Sequence, residues 1–166
     1  MAEYILPHFG EVDTDNLEEY YDVAVLLNGH EVCIDLNFMD KAIDLDALRT
    51  VDGFIGTIAE QDKMNRKRIL HDYHDENSGA VKEYVIRHIE EIGPADLSNL
   101  IDCNSKAITP ELQLINALKL VRVGLYPYDL DELAIFDYTI GEDLTQYLLV
   151  LATDHNGAIT RIAMES

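Results

Sequence analysis

Residues Tyr21 to Phe38 constrain this chain more than any other stretch. Asn28-Gly29 lies between two runs of alternating apolar residues, and a two-residue hairpin turn with positive φ at both central positions favours that dipeptide. Placing the turn there fixes every cross-strand partner: Leu27 opposes His30, Val25 opposes Val32, and Val23 opposes Ile34. The apolar side chains of both strands then share one face, because strand side chains alternate with a period of two. Asp22 and Asp35 fall opposite each other on the other face, an arrangement that like charges disfavour. A hairpin with one apolar face needs a covering layer, so the chain is committed to a sheet packed against something else.

The C-terminal third continues the pattern. Leu118 to Tyr126, Leu133 to Ile140 and Tyr147 to Thr153 are rich in β-branched and aromatic residues, and Ala158 to Met164 completes a second hairpin around Asn156-Gly157. That turn predicts Thr153 opposite Thr160, Leu151 opposite Ile162, and Leu149 opposite Met164. Tyr147 to Ala152 is apolar on both faces, as an interior strand would be.

Between the hairpins the periodicity is helical. Asp44 is placed to cap a helix with the stripe Leu48, Ile55, Ile58, Ala59, Ile69 and Tyr73, and Gly53 and Gly56 leave open whether this is one helix or two. A further helix beginning near Ser78 aligns Val81, Val85, His88, Ile89 and Ile92 before Gly93-Pro94 ends it. Shorter helical stretches follow Pro94, with Leu97, Leu100 and Ile101, and follow Thr109-Pro110, a cap with proline at the first helical position. The sequence therefore predicts a single α+β domain over residues 1–166, with a mostly antiparallel sheet of about five to six strands and helices packed on one face.

Charge narrows the function. The 166 residues carry 32 Asp and Glu against 12 Lys and Arg, a net charge of -20, yet 48% of them are hydrophobic, too many for intrinsic disorder. A chain of this sign repels phosphate, so nucleic acid is not an expected ligand. The excess is uneven. Residues 1–52 hold 13 acids and 2 bases, residues 131–166 hold 7 and 1, and the helical middle, 53–130, holds 12 and 9. Nearly all of it belongs to the segments that build the sheet.

Two cysteines, Cys33 and Cys103, read as free thiols of a reducing compartment. The first basic residue is Lys41, which argues against a secretory leader, and the apolar run Tyr147 to Ala152 is far shorter than the roughly 20 residues of a membrane span. A cytoplasmic protein that does not enter membranes is expected.

Candidate chemistry is sparse. His71 and His74, with Asp72, Asp75 and Glu76, could gather around a metal as in a hydrolase, but metal-binding pairs on helices usually stand four residues apart, and a third ligand at a diagnostic spacing is missing. A solvated helix end is the simpler reading. His88 falls on an apolar stripe and reads as a core histidine bonded to backbone. Asp13, Asp15 and Glu18 begin like a calcium loop, but Glu18 and Ala24 occupy the positions that need glycine and a carboxylate. Asp62 and Arg66 read as the ion pair of an exposed helix face, in a stretch that also holds Lys63, Lys67 and Arg68. No phosphate cradle, nucleophile elbow or Cys-x-x-Cys pair occurs, and no cofactor is expected.

The acidic groups remain. Asp22, Glu31 and Asp35 on the polar face of the first hairpin, with Asp131, Glu132, Asp137 and Asp143 nearby in the later strands, are the expected contacts to a basic protein partner. Pro7-His8-Phe9-Gly10-Glu11-Val12, the Tyr21 to Phe38 hairpin, Ala134-Ile135-Phe136-Asp137-Tyr138-Thr139-Ile140 and the closing Met164-Glu165-Ser166 resemble a family of small acidic bacterial proteins, a domain of unknown function. The resemblance implies no catalytic site. It implies a non-enzymatic role, in the manner of immunity proteins that neutralise a toxin encoded beside them. The alternatives are a metal-dependent hydrolase at His71 and His74 and a domain acidic for solubility alone.

Overall fold

A computed structural model describes residues 2–77 and 79–166, so Ser78, near which the sequence starts a helix, lies outside the described residues. The first hairpin forms as its turn dictates. Asn28 and Gly29 take φ of 51° and 85°, joining β3 (Tyr20–Leu27) to β4 (His30–Asn37) with every expected pair in register, Asp22 opposite Asp35 included. Before it, β1 (Glu3–Leu6) and β2 (Gly10–Asp13) make a small separate hairpin that the sequence reading did not contain. Its turn places His8 at φ 70° and Gly10 at 79°, and it buries Leu6 and Val12 in the core.

Among the described residues, five helices follow β4. Asp44 caps α1 (Leu45–Ile55) by accepting from the Ala47 N–H at 2.8 Å, and the chain breaks at Gly56-Thr57 before α2 (Ile58–His74), which settles the open question as two helices. Then come α3 (Ala80–Glu91), the single turn α4 (Pro94–Leu97) and α5 (Pro110–Ala117), whose cap Thr109 accepts from the Leu112 N–H at 3.3 Å. The chain returns as β5 (Lys119–Leu125), β6 (Ala134–Thr139), β7 (Leu148–Thr153) and β8 (Ile159–Glu165).

The main sheet has six strands in the order β3-β4-β5-β6-β7-β8, antiparallel throughout except for β4 beside β5. That exception has a cause. A parallel pair needs a long crossover, and the five helices supply it while covering one face. The α+β architecture expected from sequence is the observed one.

The second hairpin departs from its expected register. Leu151 opposes Ile162 and Leu149 opposes Met164, but Thr153 opposes Ile159 and not Thr160, with a shift between Ala152 and Thr153. Asn156 does not take positive φ here. Only Gly157 does, at 83°, and the turn is closed by Asp154, whose Oδ1 accepts the N–H groups of Asn156 and Ala158 at 2.9 Å each. The Asp154 side chain thus makes a longer loop, and the extra residue appears as a bulge.

On the covered side, Val32, Ile34, Leu36, Val123, Phe136, Leu149 and Leu151 pack with Leu48, Val51, Phe54, Ile69, Val81 and Tyr84 in one core. Phe54 of α1 meets Phe136 of β6 with ring centroids 6.2 Å apart. Each such side chain contributes roughly 1.5–3 kcal/mol by leaving water, which holds the helices to this face and leaves the other one to the strands.

Candidate functional site

The register assigns the helix-free face residue by residue. Tyr20, Asp22, Ala24 and Leu26 of β3 share it with Glu31, Cys33, Asp35 and Asn37 of β4, then Arg122 and Gly124 of β5 and Ile135 and Asp137 of β6. Val150 and Ala152 of β7 and Arg161, Ala163 and Glu165 of β8 complete it.

Arg122 is its centre. The guanidinium meets Asp35 through two bonds, Nε to Oδ2 at 2.6 Å and Nη2 to Oδ1 at 2.9 Å, the paired geometry that carboxylates and guanidinium groups favour. Its Nη1 reaches Asp137 Oδ2 at 3.2 Å, and Nη2 also donates to the Tyr126 hydroxyl at 2.9 Å. Asn37 donates to Asp35 Oδ1 at 2.6 Å. Burial opposes the Arg122 cation, yet the bonds to Asp35 and Tyr126 together outweigh it and raise the arginine's pKa. Burial pushes the Asp137 carboxyl up, and Arg122 offsets only part of that. The Cys33 thiol is likewise raised, first by burial and then by Asp35 and Asp22, so it stays protonated and is a poor nucleophile.

This changes the expected binding set. Asp35 is 0% exposed and Asp137 6%, and both are ion-paired with the one Arg122, so neither stands open on the surface as expected from the sequence. The Asp22–Asp35 juxtaposition is tolerated for the same reason: Asp35 is compensated from the neighbouring strand. Glu132 is half-buried and paired with Arg161 at 2.9 Å. Asp22, Glu31, Asp131 and Asp143 are exposed. Asp131 and Asp143 lie beyond opposite ends of β6, so the seven residues do not form one patch.

Two exposed apolar side chains accompany Asp22 on β3, Leu26 at 81% and Tyr20 at 53% exposure. They stand on the same face as the exposed carboxylates of Asp22 and Glu31.

The histidines fall elsewhere. His71 and His74 are both exposed on the last turn of α2, Asp72 between them is buried and accepts from the Val81 N–H at 3.3 Å, and among the described residues no group of three or more His, Cys, Asp or Glu could hold a metal ion. His88 is the core histidine expected, with Nδ1 2.5 Å from the Tyr84 carbonyl oxygen and Nε2 2.8 Å from Thr145 Oγ1.

Asp62 corrects another expectation. It is 1% exposed, facing the sheet, where Oδ1 accepts from the Tyr138 hydroxyl at 2.7 Å and Oδ2 from Arg66 Nε at 3.2 Å. Asn65 donates to the same hydroxyl at 3.2 Å, and Gln61 donates to Asn65 and to the Gly157 carbonyl at 3.1 and 2.9 Å. A polar network therefore ties α2 to β6 and to the last hairpin. The sequence held a signal for it: Ile58, Gln61, Asn65, Ile69 and Asp72 recur at helical spacing, so polar residues fill the gaps of an apolar stripe.

Among the described residues no helix is long and apolar enough to cross a membrane. Compared with known proteins, the chain matches no family model, no curated protein and no solved structure.

Proposed function

We propose that this chain is a non-enzymatic protein-binding module that takes a basic protein partner on the β3–β4 side of its helix-free face, and that it serves as an immunity protein neutralising a basic toxin. One observation carries the reading. The two arginines seated on this face, Arg122 and Arg161, are both held by its own carboxylates or those at its rim, while Asp22 and Glu31 are exposed and, among the described residues, have no ion-pair partner. The face thus presents unbalanced negative charge around Tyr20 and Leu26. Such charge speeds encounter with a cationic partner and rejects acidic ones, and the apolar pair supplies contact area. A toxin that acts on nucleic acid needs a basic surface, and an acidic module occupying that surface blocks it.

The test is a binding titration against the product of the adjacent gene, which this reading expects to be basic. The expected result is an affinity that falls steeply as salt rises from about 0.05 to about 0.5 M, and that drops roughly tenfold in the combined Asp22→Asn, Glu31→Gln variant. An affinity indifferent to both changes overturns the reading.

A further inference from the structure

Beyond the charge of the face, the structure leaves one edge of the sheet open. The Phe38 N–H donates to the Glu19 carbonyl at 2.9 Å, which sets the odd-numbered residues of β3 as the ones bonded to β4. In an antiparallel pair the bonded and non-bonded positions alternate, so the N–H and C=O groups of Tyr20, Asp22, Ala24 and Leu26 point away from the sheet. Among the described residues these groups have no partner.

Edge strands are normally blunted by proline, lysine, bulges or a covering element. The opposite edge follows that rule. β8 carries a register shift and Arg161, and α3 packs against it. β3 has fewer of these devices: Tyr20-Tyr21-Asp22-Val23-Ala24-Val25-Leu26-Leu27 runs eight residues without proline, lysine or register shift, and its one charged residue, Asp22, is an acid that deters acidic strands and not basic ones.

We infer that the β3 edge accepts an extended segment of the basic partner as a seventh, antiparallel strand, with basic and apolar side chains alternating along it. The alternation follows from the register. Partner residues bonded to Tyr20, Asp22, Ala24 and Leu26 project their side chains onto the helix-free face, where Asp22 and Glu31 favour lysine or arginine and Leu26 and Tyr20 receive their alkyl stems. The residues between them fall beside half-buried Tyr21, Val23, Val25 and Leu27, which favour apolar groups. Charge also decides the occupant, since a second copy would bring another net charge of -20 to the same edge.

The inference rests on the basic-partner reading, and its test separates the two. The probe is an end-blocked eight-residue peptide alternating Lys and Val, compared with versions N-methylated at every Lys or at every Val. Methylation at Lys removes the N–H groups that would bond β3; methylation at Val alters N–H groups that point to solvent. The expected result is equal binding of the unmodified and Val-methylated peptides and roughly tenfold weaker binding of the Lys-methylated one. Ala24→Pro should weaken the unmodified peptide similarly at unchanged thermal stability, because this N–H faces outward and its loss removes no bond to β4.

Equal binding of all three peptides, or full binding by the proline variant, overturns strand addition and leaves the charge-driven reading intact. Failure of every peptide, with the intact basic protein still bound in a salt-dependent way, does the same. A dimer in sedimentation that Ala24→Pro makes monomeric would assign the edge to a second copy and also overturn it.

Discussion

Asp35 and Arg122 meet diagonally across the parallel β4–β5 pair, in which Arg122 stands beside Cys33 and Asp35 beside Gly124, with Nε 2.6 Å from Oδ2 and Nη2 2.9 Å from Oδ1. The carboxylate side chain is 1% exposed, whereas the arginine is 32% exposed. Removing the arginine therefore strands a buried anion, and Asp137 beside it. Arg122→Met should destabilise the fold by about 3 kcal/mol, the lower end of the range for a broken buried pair given the arginine's partial exposure. Adding Asp35→Asn and Asp137→Asn should recover more than half of the loss, because the penalty lies in the uncompensated charge. Urea midpoints of the single and triple variants check this.

Gly124 is where that arginine rests. A β-carbon built at this position would collide with the Arg122 guanidinium, and the ion pairs prevent the group from swinging aside freely. Gly124→Ala should cost about 1–3 kcal/mol, as overpacking does. The same change in an Arg122→Met background should cost less than half as much, and a double-mutant cycle reads the difference as coupling between the two positions. Equal costs in both backgrounds would show that the glycine is required for some other reason.

The separation between what the sequence revealed and what it concealed follows chain distance. Asn28-Gly29 fixed a register of neighbours, so the whole β3–β4 pairing was readable, down to Asp22 opposite Asp35. Arg122 stands 87 residues from Asp35, and only the crossover of five helices brings them together, so nothing local could announce that Asp35 was neutralised. Local register places Asp22, Glu31 and Asp35 on one face, whereas charge alone groups Asp131, Glu132, Asp137 and Asp143, and the fold sets Asp131 and Asp143 beyond opposite ends of β6. Asp62 was misread for a related reason: Tyr138, 76 residues away, supplies the hydroxyl that lets a carboxylate face the core. The second turn failed differently, because the Asp154 side chain captured two backbone N–H groups and displaced the expected two-residue geometry.

His88 makes stability depend on pH in a defined direction. Its neutral ring donates from Nδ1 to the Tyr84 carbonyl and accepts at Nε2 from the Thr145 hydroxyl, whose oxygen also accepts the Tyr147 N–H. Protonation turns Nε2 into a donor, so the Thr145 hydroxyl must rotate its hydrogen away and accept a second bond beside that from the Tyr147 N–H. Burial accordingly lowers the pKa, with the Tyr84 carbonyl and Glu91 offsetting only part of that effect. A histidine depressed in the folded state gives stability that is fully present above its unfolded value near 6.5 and is lost as pH falls from there toward the folded value. Denaturation at steps from pH 7 to pH 5 should show this loss, with the slope from one proton no steeper than about 1.4 kcal/mol per pH unit. His88→Gln should remove that component of the slope, whatever it costs in packing at pH 7.

Tyr138 tests whether the network under α2 is structural. Its hydroxyl donates to Asp62 Oδ1 and accepts from Asn65 Nδ2, and both partners are buried. Burial, with the Asp62 carboxylate adding to it, drives the phenol's pKa well above its usual value, so the O–H stays a donor over the whole working range. Tyr138→Phe deletes one oxygen and leaves an amide N–H and a carboxylate oxygen unsatisfied, which should cost about 2–4 kcal/mol. Adding Asn65→Leu removes one of the stranded groups and should recover part of the loss, while Asp62, still held by Arg66, should not be the larger share. Since α2 reaches β6 here and the last hairpin through Gln61, hydrogen exchange in Tyr138→Phe should quicken at α2 and at Asp154–Ala158 before it does in β3 and β4. Uniform acceleration across the sheet would mean that the network supports global stability and does not tether these two elements in particular.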